Sequence, residues 1–178
     1  INSMAITRLG GANAITGTLP AANINNTSIG NVTALPAGVG GKVLQVVTAT
    51  DTGNRSTTST SFVTGSNTLS VDITPASTSN KIFVQVSALH YAGTNGYSVH
   101  STIYRDSTDL GGATYGFQSF YNPSNVVPGM NCAMSVLDSP SSTSALTYQV
   151  YFKAQSGTSA YLGYNNCKMT ITAFEIEG

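Results

Sequence analysis

One stretch of the chain alternates between apolar and polar positions more regularly than any other. Across residues 146–155, Leu, Tyr, Val, Phe and Ala occupy every second position, and Thr, Gln, Tyr and Lys lie between them. Successive side chains of a strand point to opposite faces, so this period of two predicts a core strand with one buried face. On the second face, Tyr151 and Lys153 are expected to lie either in solvent or against a neighbouring subunit.

Shorter segments with the same alternation, separated by turn signals, follow one another from residue 42 onward. Further strands are predicted at residues 43–50, 62–63, 69–74, 82–89, 97–105, 131–137, 160–164 and 168–176. Residues 106–112 are predicted as a hairpin turn or two short strands, and residues 113–121 form an aromatic-rich stretch. About eight to ten strands at this spacing predict an all-β fold, an antiparallel β-sandwich of the jelly-roll kind.

The last predicted strand is apolar on both faces. Its inward candidates are Met169, Ile171 and Ala173, while Phe174 and Ile176 point the other way. In a two-sheet domain such a strand needs cover on its outer side, and a symmetry-related copy of the chain is the simplest candidate.

Residues 1–41 follow a different pattern. Hydrophobic side chains recur there every three to six residues among Gly, Asn, Thr, Ala and Pro, with neither a helix period nor a strand period. One segment this sparse cannot offset its own ordering entropy, so it is either a disordered linker or a stalk in which several copies intertwine. The regular spacing favours a slender stalk at residues 1–41, with a hinge at 36–41, and a β-sandwich head at residues 42–178.

The charge and the length of the apolar runs argue against nucleic-acid binding and against membrane insertion. Only 8% of the 178 residues are charged, and seven basic residues balance seven acidic ones. The basic residues stand singly, whereas binding to nucleic acid needs clustered Lys and Arg, so no nucleic acid is expected. No apolar run approaches about 18 residues, so membrane insertion is not expected. No secretory signal is found, and a start at Ile1 is expected for a processed or partial chain.

Two cysteines, Cys132 and Cys167, are too few for a disulfide framework. Two reduced thiols that pack as small hydrophobic groups are expected, and a single bridge between late strands is the alternative.

No sequence motif indicates catalysis, a metal site or a cofactor. His90 and His100 are the only histidines, and both fall within predicted strands without a cluster of carboxylates, so structural or surface roles are expected. Asp106 and Asp109 flank a turn and are expected to cap it rather than to bind Ca²⁺. No spacing of acidic residues signals the carboxylate pair of a glycoside hydrolase.

Aromatic residues gather in the middle third of the chain, beside loops that contain Gly and Asn. A glycan site needs tyrosine rings that pack on the apolar face of a sugar, next to polar groups that bond its hydroxyls. Core packing is the alternative role for each ring, and it is less expected for the rings that border turns. We predict a glycan-binding set of Tyr91, Tyr97, Tyr115, Tyr121, Asn95 and Asn122.

Several phrases of the sequence together resemble the C-terminal part of tail fibres from marine and freshwater phages. In the stalk the phrase is Gly-Thr-Leu-Pro-Ala-Ala-Asn-Ile-Asn-Asn-Thr at 17–27, and at the start of the head it is Gly-Lys-Val-Leu-Gln-Val-Val at 41–47. The others are Ser-Val-Asp-Ile-Thr-Pro at 70–75 with Ser-Asn-Lys-Ile at 79–82, Leu-Asp-Ser-Pro at 137–140, and Ala-Phe-Glu-Ile-Glu-Gly at 173–178. The similarity spans nearly the whole chain.

The resemblance implies a homotrimer of the virion, with a thin shaft and a β-sandwich tip, joined to the rest of the phage tail. Such a tip binds a host cell-surface polysaccharide or protein receptor during adsorption, without catalysis. No binding motif carries over residue by residue, so the tyrosine set rests on its chemistry alone. The alternatives are a purely structural domain that trimerises and caps a fibre, or a polysaccharide depolymerase.

Overall fold

Two antiparallel β-sheets form the part of the chain that the computed structural model describes, residues 42–123 and 129–178. Their strands are β1 Val43–Asp51, β2 Arg55–Thr57, β3 Ser70–Ile73, β4 Lys81–Ala92, β5 Tyr97–Arg105, β6 Thr108–Asp109, β7 Gln118–Asn122, β8 Met130–Asp138, β9 Leu146–Ala154, β10 Ala160–Leu162 and β11 Met169–Ile176. The predicted all-β, antiparallel fold is confirmed.

The predicted stalk lies outside the described residues, so the stalk and the division at residue 42 stay predictions. Within the described ranges, no helix is long and apolar enough to cross a membrane.

Each sheet is four strands wide when strands that lie end to end are counted together. In the first sheet, β8 pairs with one edge of β4, and β11 and β10 pair with successive parts of the other edge. Beyond them, β1 pairs with β11 and β2 pairs with β10. In the second sheet the order is β3-β9-β5, and β6 and β7 share the remaining edge of β5. This is a jelly-roll-like sandwich, in which side chains from two inner faces form the core.

The strand with the clearest alternation is β9, and its pattern is confirmed. Buried and half-buried residues alternate along all nine positions, with Tyr148, Val150 and Phe152 fully buried. On the second face, Tyr151 and Lys153 are half-buried, because other parts of the same chain cover them in part. The ring of Tyr151 stacks on Tyr104 with centroids 4.1 Å apart. The Nζ atom of Lys153 lies 4.4 Å from the centre of the Phe62 ring.

The interior between the sheets is mainly apolar and contains a few buried polar groups. Val84 and Ile171 fill it from the first sheet, and Val99 and Ile103 from the second, each with no exposed surface. Burying an aliphatic side chain of this size contributes roughly 1.5–3 kcal/mol, so these contacts are the main source of stability. The last strand, β11, shows the predicted two-faced pattern, because its alternate residues are buried and half-buried.

The chain enters and leaves the sandwich at the same end, which we call the proximal end. There the backbone N–H of Glu177 donates to the carbonyl oxygen of Lys42 at 2.9 Å, and Val43 pairs with Ile176. From this end β4 runs for twelve residues, a length of roughly 36 Å at about 3.3 Å per residue. It leads to the distal end, where the connections at residues 93–96 and 155–159 lie.

Candidate functional site

Tyr91, one of the predicted glycan-binding residues, is buried. Only 5% of it is exposed, because β4 continues past it to Ala92 and pairs there with β10. The ring stacks on Tyr161, its cross-strand partner, at 4.4 Å, and meets the edge of Tyr164 at 5.5 Å. Burial also raises the pKa of the Tyr91 hydroxyl. Tyr91 therefore supports the fold, and its assignment to an exposed binding surface is corrected.

Asn122 is also buried and belongs to the framework of the distal end. It is 1% exposed, and its Nδ2 donates to the carbonyl oxygen of Ala92 at 3.0 Å. Its own carbonyl oxygen accepts the N–H of Gly96 at 2.8 Å. Asn122 thus fixes the turn between β4 and β5, so its prediction as a surface contact is also corrected.

The other four predicted residues reach the surface to different extents. Tyr115 is 62% exposed and Tyr121 is 55% exposed, while Asn95 is exposed and Tyr97 is half-buried. Asn95 and Tyr121 lie in the same region, since a Cβ added at the neighbouring Gly96 would be 4.0 Å from the Tyr121 hydroxyl.

An open hollow of about 370 Å³ lies beside Tyr115 and is lined by Tyr115, Gly116, Phe117, Gln118 and Ser119. Ser119 and Tyr121 alternate with the half-buried Phe120 in β7, so both point outward from the second sheet. Residues two apart on one face of a strand are about 7 Å apart. Tyr115 and Ser119 therefore line the hollow, and Tyr121 lies one exposed position further along β7 from Ser119.

Local backbone bonds hold Tyr115 in place. Gly116 has a φ of 66°, and a Cβ there would collide with the carbonyl oxygen of Ser101. The N–H of Gly116 donates to the carbonyl oxygen of Gly112 at 2.6 Å. In addition, the Lys153 ammonium donates to the carbonyl oxygen of Ala113 at 3.2 Å. A ring that is already fixed in the free protein loses less entropy when a ligand binds.

His100 lies under this loop. It is 3% exposed, pairs with Ser119 across β5 and β7, and meets the Tyr115 ring edge-on with centroids 5.2 Å apart. Burial lowers the pKa of His100, and the nearby Lys153 ammonium lowers it further. Its Nδ1 has no hydrogen-bond partner within the described ranges. His100 is therefore a neutral ring that supports Tyr115 from below.

A second histidine, His90, lies 3.0 Å from the Ser101 hydroxyl, measured from its Nδ1 atom, inside the core. The distance is that of a base and a nucleophile, but the two residues are 1% and 0% exposed, so a substrate has no access. Burial lowers the pKa of His90 to about 4 and raises that of the adjacent Cys132 to about 12. The described residues contain no group of three His, Cys, Asp or Glu side chains that could hold a metal ion.

Of the two turn aspartates, Asp109 caps its turn as predicted, whereas the Asp106 side chain bonds the backbone of the distant strand β9. Asp109 Oδ1 accepts the Thr102 hydroxyl at 2.6 Å and the N–H of Gly111 at 3.0 Å. Asp106 Oδ1 accepts the N–H of Thr147 at 2.9 Å. Asp109 thereby anchors the start of the loop that carries Tyr115.

Sequence reasoning missed the polar part of the hollow. Gln118 and Ser119 were included only in an aromatic-rich stretch, because the order Gln-Ser-Phe-Tyr in 118–121 does not alternate between polar and apolar residues, whereas exposure alternates along β7 in the structure. That pattern places Ser119 on the same face as Tyr121. No local sequence pattern predicts the contact between His100 and Tyr115, because this contact depends on how the loop at 111–117 folds back onto β5.

No family profile and no curated protein sequence matches the chain. Among solved structures it is similar to the VP2 subviral particle of infectious bursal disease virus, at 13% identity and a TM-score of 0.36. That match covers 74% of this chain and 39% of the VP2 chain. T=1 particles derived from a mutant VP2 protein of the same virus match at 14% identity and a TM-score of 0.35, covering 75% and 36% of the two chains. The chain thus spans well under half of either VP2 chain, and neither likeness is close enough to identify a family.

Proposed function

We propose that this chain is the receptor-binding end of a phage tail fibre and that it binds a host cell-surface glycan without catalysis. The observation that carries the proposal is the pair of exposed tyrosines, Tyr115 beside the hollow and Tyr121 on the same strand face as Ser119. Two rings that project from one sheet face offer apolar surface to two sugar units, and the polar groups between them bond hydroxyls.

The hollow favours an uncharged ligand. Its lining consists of tyrosine, glycine, phenylalanine, glutamine and serine, and none of these carries a charge at neutral pH. A neutral polysaccharide stretch therefore suits it better than a highly anionic one. Asn95, exposed beside Tyr121, adds an amide that donates and accepts hydrogen bonds.

The position of these groups within the sandwich supports the same role. Tyr121 and Asn95 lie at the distal end, while the upstream chain joins at Lys42 on the proximal end. In a homotrimer each fibre would offer three such sites, and simultaneous binding raises the overall affinity without any new contact.

An array of bacterial surface polysaccharides tests the proposal with the full chain. We expect retention of neutral glycans, with Tyr115→Ala and Tyr121→Ala each weakening binding by about tenfold, as for other exposed aromatic anchors. The matched control is Tyr164→Ala, because Tyr164 is also exposed, at 41%, but packs against Tyr91 beside the first sheet.

Three results would overturn the proposal. They are a chain that retains no glycan, variants that bind as the parent does, and release of reducing sugar from a bound polysaccharide. The last result would instead identify a depolymerase.

A purely structural role is the second candidate, favoured by an uncharged apolar surface on the first sheet. In that case the purified chain would neither adhere to host cells nor compete with virions for adsorption. The alanine variants at Tyr115 and Tyr121 would then assemble normally and alter no binding event.

A further inference from the structure

Four apolar side chains form a row across the outer face of the first sheet. The strand register places Val46 opposite Phe174, Phe174 opposite Phe83, and Phe83 opposite Leu137. Val46 and Leu137 are 55% and 53% exposed, and the two phenylalanine rings lie 6.0 Å apart between them. We call these four residues the apolar row.

The surface around the apolar row carries almost no charge. Toward the proximal end the row continues into Val43, Leu44 and Ile176, of which Val43 is 52% exposed. Toward the distal end the next residues in register are uncharged and polar, namely Thr48, Thr172, Gln85 and Ser135. Charged residues at the proximal margin are Lys81, paired with Ile176, and Lys42 and Glu177, whose backbones bond each other beside that pair.

This combination is typical of the centre of a protein interface. Interface centres are depleted of charged residues and enriched in aromatic ones, and a contiguous exposed apolar patch is unfavourable in water. A flat sheet face also suits contact with a second sheet face, since stacked sheets interdigitate side chains across about 10 Å.

A second copy of this chain fits the surface better than an unrelated partner. Forty-one residues precede Lys42, and they join the head beside Val43, at the margin of the apolar row. The sequence predicts that these residues intertwine with other copies, so copies would meet at the same margin. An uncharged face also meets its own copy without like-charge repulsion.

We propose that the apolar row is the contact between copies of this chain. The inference concerns assembly and does not depend on glycan binding, so each proposal holds or fails by its own measurement.

Light scattering on the full chain over a range of concentrations is the first test. We expect an oligomeric mass for the parent. The Val46→Lys and Leu137→Lys variants should dissociate into monomers at concentrations at least about tenfold higher than the parent does. The matched control is Met130→Lys, which adds the same charge at a residue 48% exposed and outside the row. A monomeric parent overturns the proposal, as does a control that dissociates like the row variants.

Cross-linking provides a local test that does not depend on residues 1–41. With a short bifunctional maleimide we expect Leu137→Cys to give covalently joined chains. Tyr121 is 55% exposed on the other sheet, so Tyr121→Cys should give no more cross-linked chains than the parent, which carries only its native thiols. Equal cross-linking of both variants, or none at Leu137→Cys, overturns the contact. A monomer in which the introduced thiol is shielded would assign the surface to residues 1–41 instead.

Discussion

The Nδ1 atom of His90 and the hydroxyl oxygen of Ser101 lie 3.0 Å apart inside the core and join β4 of the first sheet to β5 of the second. Burial holds the pKa of His90 at about 4, against 6.5 for a free histidine. As pH falls below about 6.5, the unfolded chain binds the proton before the folded chain does. Stability is therefore complete above pH 6.5 and decreases as the pH falls toward 4.

The first prediction is a loss of about 2–3 kcal/mol in unfolding free energy from this histidine between pH 7.5 and pH 4.5, because one pKa unit corresponds to roughly 1.4 kcal/mol. Urea unfolding at the two pH values measures it. His90→Gln should reduce the difference between them, although His100, whose pKa is also lowered, retains part of the slope. An identical difference in the parent and in His90→Gln would contradict the assignment.

The second prediction concerns Asp138, which joins the sheets at the proximal end. Its carboxylate accepts two hydrogen bonds from Arg105, at 2.7 and 2.8 Å, and one from the Tyr148 hydroxyl at 2.6 Å. Asp138→Ala leaves both donors without this partner in a partly buried place, so we expect a loss of about 2 kcal/mol. Asp72→Ala removes one exposed hydrogen bond, to Thr147, and should cost about 0.5 kcal/mol. Equal losses in urea unfolding would show that burial does not matter here.

The third prediction concerns Gly116, which positions Tyr115. Gly116→Ala places a side chain at a left-handed φ and against the Ser101 carbonyl, so we expect a loss of roughly 1–3 kcal/mol and weaker glycan retention. Gly157→Ala is the control, because a Cβ there meets nothing within 4 Å. Thermal unfolding and the polysaccharide array measure the two effects. If Gly116→Ala retained the glycans as the parent does, the position of Tyr115 would not matter for binding.

The fourth prediction distinguishes the two thiols. Cys132 is fully buried with its pKa raised to about 12, whereas Cys167 is half-buried, and both are free. A thiol reagent should therefore modify Cys167 of the folded chain at least about 100-fold faster than Cys132, since the thiolate is the reacting form. Cys167→Ser should remove the fast phase. If the chain is denatured without a reductant and no thiol then reacts, the two cysteines are joined in a disulfide instead.

The local sequence pattern was sufficient for two of the longer strands. The bounds of β5 match the predicted strand at 97–105, and β9 shows the predicted alternation throughout. By contrast, β2 lies in a Ser/Thr-rich stretch and was not predicted, because it exists through pairing with the distant β10. The strand predicted at 62–63 is a single bridge between Val63 and Phe152. Pairing between distant segments leaves no local pattern to recognise.

The same limit applies to the candidate site. Tyr115 and Tyr121 are exposed, as a ligand-binding role requires. Tyr91 was expected at the surface because it borders a turn, and it is buried because Tyr161 of β10 stacks on it. Its sequence neighbours do not contain that information. Surface and core tyrosines therefore became distinguishable only when the strand order was known.

The hydrogen bond between Glu177 and Lys42 places both ends of the head's chain side by side. Loops at the distal end, such as residues 93–96, can therefore gain or lose residues without a change in the path by which the chain enters or leaves. An exchange of residues 42–178 for another sandwich would therefore meet the rest of the chain at the proximal end alone. We therefore expect that a label attached at Gly178 emerges at the proximal end, away from the loop at residues 93–96.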